Sequence, residues 1–178
     1  MPRPSVLRLP DPCLVVLIGA AGAGKSTLAA RLFPVESILS SDVLRAAVSG
    51  DAANQRATRT AFAILHRQLE QRMAGRHTTV IDATSVTPHA RRGLVRRAAE
   101  QGIPAIAIVF DLDADVVLAQ NAGRGGRIVP EAVVRRHLAD LARSLRPGAL
   151  DHEGFATIHR IRTSAEMDGL SVEWFGRG

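Results

Sequence analysis

The segment Gly19-Ala20-Ala21-Gly22-Ala23-Gly24-Lys25-Ser26 constrains this chain more than any other. It follows an unbroken apolar run, Cys13 to Ile18, and it opens a stretch with helical spacing. A run apolar at every position, entered after Pro10-Asp11-Pro12 and ended by Gly19, reads as a strand buried on both faces. Glycines just beyond such a strand let the backbone curl until several N–H groups point inward. The next helix adds the positive end of its dipole. The spacing G-x-x-x-x-G-K-[ST] is therefore a cradle for phosphate oxygens, the Walker A pattern. In it Lys25 reaches the β- and γ-phosphates and the Ser26 hydroxyl helps hold Mg²⁺. The cradle is taken to run from Gly19 through Thr27, with Lys25 outside the core, so that Lys25→Ala abolishes ATP turnover and spares the fold.

The rest of the chain alternates short apolar runs with longer helix-period segments, as in an α/β domain with a mostly parallel sheet. A helix is expected from Lys25 to just before Pro34, because a residue preceding proline resists the helical conformation. Further strands are expected at Ser37 to Ser40, Thr78 to Asp82, Ala105 to Phe110 and Phe155 to Ile161. From Arg56 to Ala74, the residues Ala61, Ile64, Leu65, Leu69 and Met73 recur at helical spacing. Thr87-Pro88 is an N-cap followed by proline at the first helical position, opening a helix to about Gln101. Another helix starts near Ala114 and is interrupted by Gly123, Gly125 and Gly126. Pro130 opens one more, with Val134, Leu138, Leu141 and Leu145 on one face. The whole, residues 1–178, is read as one domain with a short N-terminal extension over 1–12 and a tail without a decisive pattern.

Composition bounds the partners. The formal net charge is +6, and of the 23 Lys and Arg residues only Lys25 is lysine. The excess points to an anionic partner such as nucleic acid, or else reflects an arginine bias in coding. No apolar run reaches the ~20 residues of a membrane helix, and Met1 to Pro12 has no signal-peptide core. The single cysteine, Cys13, has no partner for an internal disulfide and reads as a buried structural thiol, which suits a cytoplasmic location. The six histidines show no metal-ligand spacing; His66, His77 and His137 read as ordinary surface or partly buried positions, leaving Mg²⁺ as the only metal expected.

Strand ends at the carboxyl edge of a parallel sheet face the ligand crevice. After the second strand, Asp42 and Arg45 stand three apart at a helix start and can project from one face into it. Such a carboxylate can accept a hydroxyl proton while the arginine fork fixes a phosphate. The alternative is an N-cap by Asp42 beside a surface arginine. Arg91, Arg92, Arg96 and Arg97 cluster on one predicted helix and either track a phosphate backbone or form a solvated face; no aromatics interleave for base stacking.

Taken together, the cradle, Ser41-Asp42-x-x-Arg45, Asp82-Ala83-Thr84, Val109-Phe110-Asp111, Asn121-x-x-Arg124-x-x-Arg127 and Glu153-Gly154-Phe155 resemble the polynucleotide 5′-hydroxyl kinases, most of all the kinase module of bacterial end-healing enzymes. The resemblance runs from about Leu14 to Ile161. It implies a three-layer P-loop kinase fold with an arginine-bearing lid over about 121–130. It makes Asp42 the general base and gives Arg45 the acceptor's neighbouring phosphate. It places Asp82 where it orients Mg²⁺-bound water or, with Thr84, the acceptor; a cap on the following turn is the other reading of Asp82. Arg124 and Arg127 become lid arginines over the ATP phosphates, against the alternative of a flexible loop with solvated arginines. One position departs: Gln120 stands where the family carries arginine before the lid asparagine.

The expected activity is ATP-dependent transfer of the γ-phosphate to a 5′-hydroxyl end of DNA or RNA, with a role in nucleic acid repair. The alternatives are a kinase for a small-molecule or protein hydroxyl, and a nucleotide-switched regulatory ATPase. The adenine is assigned to the region of Thr163 and Ser164.

Overall fold

A computed structural model describes residues 6–49, 55–125 and 128–176. In chain order the elements are β1 (Val6–Pro10), β2 (Leu14–Ile18), α1 (Lys25–Leu32), β3 (Ile38–Ser40), α2 (Ser41–Ser49), α3 (Gln55–Ala74) and β4 (Thr79–Asp82). They continue with α4 (Pro88–Glu100), β5 (Ala105–Phe110), α5 (Ala114–Ala122), α6 (Glu131–Ser144), β6 (Thr157–Ile161), α7 (Ser164–Asp168) and β7 (Ser171–Phe175).

Five strands form one parallel sheet in the order β3-β4-β2-β5-β6. The chain leaves central β2, crosses to the edge at β3, returns through β4 and then passes to the other side at β5. The crevice beyond the carboxyl end of β2 is thus the switch point at which such sheets bind ligands. β2 and β5 are buried at every position, which explains their unbroken apolar composition. Their side chains alternate between two cores. Val15, Leu17, Ile106, Ile108 and Phe110 face α1, α5 and the β1 strand. Leu14, Val16, Ile18, Ala105, Ala107 and Val109 face α3 and α4. α6 serves both, with Val134 in the first core and Leu141 in the second. Three layers result, as expected for a P-loop kinase fold.

The strand expected from Ser37 begins at Ile38, because Val35–Ser37 forms a 3-10 turn closed by the Ser37 hydroxyl on Pro34 O at 2.6 Å. β6 likewise begins at Thr157 and not at Phe155, since Phe155 follows the positive-φ Gly154 and packs against the second core. Thr87 caps α4 as expected, accepting from Ala90 N–H at 3.3 Å.

Two strands were not expected. Residues 6–10, read as an extension, pair in parallel with β7 from the tail, as a separate two-stranded ribbon. Leu7 and Leu9 point inward while Val6 and Arg8 point out. Trp174 of β7 meets Phe33 edge-on at 6.1 Å, and Arg31 of α1 donates to Leu170 O at 2.9 Å and to Met167 O. The ribbon and α7 are thereby fastened to the helix that carries the cradle. Cys13 is buried, and burial first of all pushes its thiol up to about 12, so it is an inert core group.

Candidate functional site

Gly22 and Gly24 take φ of +89° and +87°, the left-handed conformation that turns the loop's N–H groups inward. Neither tolerates a side chain. A Cβ on Gly22 would lie 2.7 Å from the Asn121 Cβ and 2.9 Å from Val117 O, so α5 rests directly on the loop. Gly24 is the N-cap of α1 but offers no side-chain cap, and the first turn carries no acidic residue. The open N–H groups there are left for an anion.

Lys25 was expected outside the core; it is buried, with 8% of its surface exposed. Its Nζ donates to Ala20 O at 2.7 Å, folding the side chain back across the loop. Burial pulls its pKa from 10.5 to about 8; the Asp82 carboxylate opposes that shift and Arg124 adds to it. An ammonium so poorly compensated is poised for phosphate oxygens.

Asp82 ends β4 one strand away and does not cap the following turn. Its Oδ2 accepts from the Ser26 hydroxyl at 2.7 Å, and the residue is buried. A hydroxyl and a carboxylate form a hard oxygen pair that fits Mg²⁺, an ion that takes few protein ligands and completes its shell with phosphate oxygens and water. Thr84 O accepts from Gly19 N–H at 3.0 Å, which ties the β4–α4 loop to the start of the cradle.

At the start of α2, the Ser40 hydroxyl lies 3.5 Å from Val43 N–H, so Ser40 and not Asp42 occupies the capping place. The Asp42 side chain is instead 63% exposed and ion-pairs with the more buried Arg45. Both line a cavity of about 450 Å³ together with Lys25, Ser26, Asp82 and Arg124. A second cavity of about 780 Å³ adjoins it, and Ser41, Arg45, Ala83, Thr84 and His137 line both. The structure therefore brings Lys25, Ser26, Asp42, Arg45, Asp82, Thr84 and Arg124 to one place. Arg127 and Gly126 lie outside the described residues.

The C-terminal end of α5 carries a defined clamp. The buried Asn121 donates from Nδ2 to Val129 O at 2.8 Å and accepts from Val129 N–H at 3.2 Å, joining the two ends of the segment that carries Arg124. Gln120, beside it, donates to the Ser164 hydroxyl at 3.4 Å, while its Oε1 is buried with no hydrogen-bond partner among the described residues. Thr163 is the N-cap of α7, accepting from Glu166 N–H at 3.1 Å, and neither Thr163 nor Ser164 lines the two cavities.

The four clustered arginines of α4 part company. Arg91 is not a surface residue but fully buried: it makes a two-bonded pair with Glu153 at 2.7 and 2.5 Å and donates to Ser85 O at 2.8 Å and the Ser144 hydroxyl at 3.1 Å. Arg97 pairs with Glu70 at 2.9 Å. Arg92 and Arg96 line the second cavity. Of the histidines, sequence reasoning missed His137. It sits at the junction of the cavities with Nδ1 3.4 Å from the Ala21 N–H, and its signal was a polar residue among Val134, Leu138 and Leu141 on the apolar face of a helix.

Comparison with known proteins agrees with this geometry at the level of the fold. The chain is similar to a chain in the structure of a Pnkp1/Rnl/Hen1 RNA repair complex, with 20% identity and a TM-score of 0.65; the likeness covers 76% of this chain and 46% of that one, so this chain spans about half its length. It is similar to a putative kinase from Chloroflexus aurantiacus, with 17% identity and a TM-score of 0.58 over 89% and 94% of the two chains. It is also similar to a gluconokinase from Sinorhizobium meliloti, with 15% identity and a TM-score of 0.56 over 90% and 87%. No curated protein matches. The family model described as AAA domain matches residues 14–147. That span exceeds half of the chain and takes in the cradle, the Asp82 strand end and the Asn121 clamp, and so the chain belongs to the AAA domain family of P-loop nucleotide-binding folds.

Proposed function

We propose that this protein is an ATP-dependent kinase that phosphorylates the 5′-hydroxyl end of a polynucleotide. The observation that carries the reading is the pair of adjoining cavities, with Arg45 at their meeting place and Asp42 beside it in the first. The first holds the cradle groups. The second has an apolar floor of Leu65, Ile81, Val86 and Leu94, and no Asp or Glu stands among the described residues lining it. Its cations are Arg45, Arg92 and Arg96, and two rings, Phe62 and His66, meet there edge-on at 6.4 Å. An apolar floor, stackable rings and three arginines with no carboxylate among the described residues of the lining suit a base attached to a phosphate better than a neutral sugar.

In the reaction, the acceptor hydroxyl oxygen forms a bond to the γ-phosphorus as the bond to the bridging β–γ oxygen breaks, and ADP leaves. The hydroxyl proton passes to the Asp42 carboxylate. Arg45 holds the phosphate next to the acceptor, while Lys25 and Arg124 meet charge on the phosphoryl oxygens. Arg127 belongs with them on the resemblance alone. Ser26 and Asp82 would hold Mg²⁺, which draws charge from the β- and γ-phosphates. The likeness to a gluconokinase keeps a small alcohol as the second reading.

The test is incubation with γ-labelled ATP, Mg²⁺ and a panel of 5′-hydroxyl oligonucleotides and small alcohols. Labelled oligonucleotide is expected, and label on a small alcohol alone would replace this reading with the second. Asp42→Asn should lower turnover by about 10²–10⁴-fold with ATP affinity retained. A variant of full activity would remove Asp42 as the base.

A further inference from the structure

His137 has no place in the scheme above, yet its imidazole lines both cavities. It comes from α6, which follows the lid segment and is anchored in both cores by Val134 and Leu141. The ring is therefore held on a rigid element. Its Nδ1 faces the Ala21 N–H of the cradle at 3.4 Å. A backbone N–H can only donate, so Nδ1 is the acceptor and the ring proton of the neutral form resides on Nε2. Burial and then the Lys25 cation lower the imidazole's pKa below its usual value, with Asp140 opposing and Arg136 adding to the shift. The ring is thus neutral at pH 7. It offers a single donor at the place where the two cavities meet.

From this geometry we infer that His137 touches the phosphoryl group in transit and donates its Nε2–H to one of that group's oxygens. The inference rests on the phosphotransfer reading, because only a group passing between the two cavities comes to that junction. A neutral donor suits the position: Lys25, Arg45 and Arg124 already supply positive charge around it. The competing role is purely local, a brace that holds Ala21 and the cradle in shape. The two roles differ in what they stabilise. A brace supports ADP and ATP alike, whereas a donor at the junction acts on the group beyond the β-phosphate.

The experiment compares wild type, His137→Leu and His137→Gln by titration with Mg²⁺–ADP, alone and with aluminium fluoride, which mimics the phosphoryl group in transit. For His137→Leu, analogue affinity should fall by about 10²-fold, as on loss of one transition-state donor, with ADP affinity within about threefold of wild type. His137→Gln keeps an acceptor and a donor and should recover about tenfold of the loss. Analogue affinity unchanged in His137→Leu, or lost in step with ADP affinity, would overturn the inference. No acceptor is needed in this titration. Failure of the kinase reading would show separately, as wild type that labels no alcohol in the panel.

Discussion

At the scale of single residues, Lys25 sets a pH dependence whose sign follows from burial. Free protein holds its ammonium at a pKa of about 8, down from 10.5, because the buried cation has lost its water. Bound phosphates restore the charge balance and raise the value again. Below pH 8 the group is protonated with and without nucleotide, and affinity is flat. Above pH 8 the free protein has released the proton, and binding must take one up. ATP affinity should therefore fall by up to about tenfold per pH unit above 8, and Lys25→Met should bind weakly with no such slope. Equilibrium titrations from pH 7 to 10 check this; a wild-type curve level to pH 10 would mean that Lys25 keeps its proton in the empty cradle. The same depressed value says that the empty fold carries a charge penalty below pH 8, which disappears as pH rises from 8 toward 10.5. Lys25→Met should therefore spare the fold because it removes a buried charge, and not because the residue lies outside the core.

At the scale of elements, the buried Arg91–Glu153 pair binds α4 to the chain beyond α6 and to the β4–α4 loop. Arg91 donates to Ser85 O, and the Ser144 hydroxyl of α6 donates to Val86 O at 2.6 Å. That loop carries Thr84, whose carbonyl receives the Gly19 N–H. Removing Arg91 alone leaves the Glu153 carboxylate, 13% exposed, without its partner. Arg91→Met should cost about 3–5 kcal/mol of stability in urea unfolding, and Arg91→Met with Glu153→Leu should regain much of it. A double variant as unstable as the single one would place the energy in the Ser85 and Ser144 bonds. This pair also explains why Glu153-Gly154 belongs to the resemblance: Glu153 holds a helix, and Gly154 has φ of +90° with Val95 3.2 Å from where a Cβ would stand.

How much the sequence disclosed follows from how local each signal was. The cradle is written in consecutive residues, and the strand and helix around it are set by apolar continuity and by Pro34. The Ser26–Asp82 bond joins residues far apart in sequence, but a strand-ending carboxylate announced it. The β1–β7 ribbon was hidden because each strand is short, and β1 has only two buried positions between prolines and an arginine; its pairing closes almost the whole length of the chain. Arg91 and Arg92 are neighbours that a helix turns to different surroundings, one buried and one lining a cavity. His137 needed α6 to be folded against the cradle before Ala21 became its neighbour.

At the scale of the whole molecule, the charge of +6 suggests a broad nucleic acid surface, but the ion pairs argue for a narrow one. Arg8, Arg91, Arg97, Arg135 and Arg143 are each matched by a carboxylate. The cations that line the second cavity are Arg45, Arg92 and Arg96; Arg45 is ion-paired with Asp42, and Arg96 has an exposed partner, Glu100, at 3.6 Å. A single strand that meets three cations and gives up about 0.7 counterions per phosphate should bind with a slope of about −2 in log affinity against log salt. A strand that instead ran across the protein would add to the slope with each further phosphate. Affinity for 5′-hydroxyl strands should therefore stop rising after the first few nucleotides, and tetramers, which carry three phosphates, should share one slope with dodecamers. Arg92→Ala should make that slope shallower by about 0.7. Titrating both lengths at several salt concentrations decides the matter: a dodecamer slope well beyond the tetramer's would move the contact surface off the second cavity and onto the outer arginines.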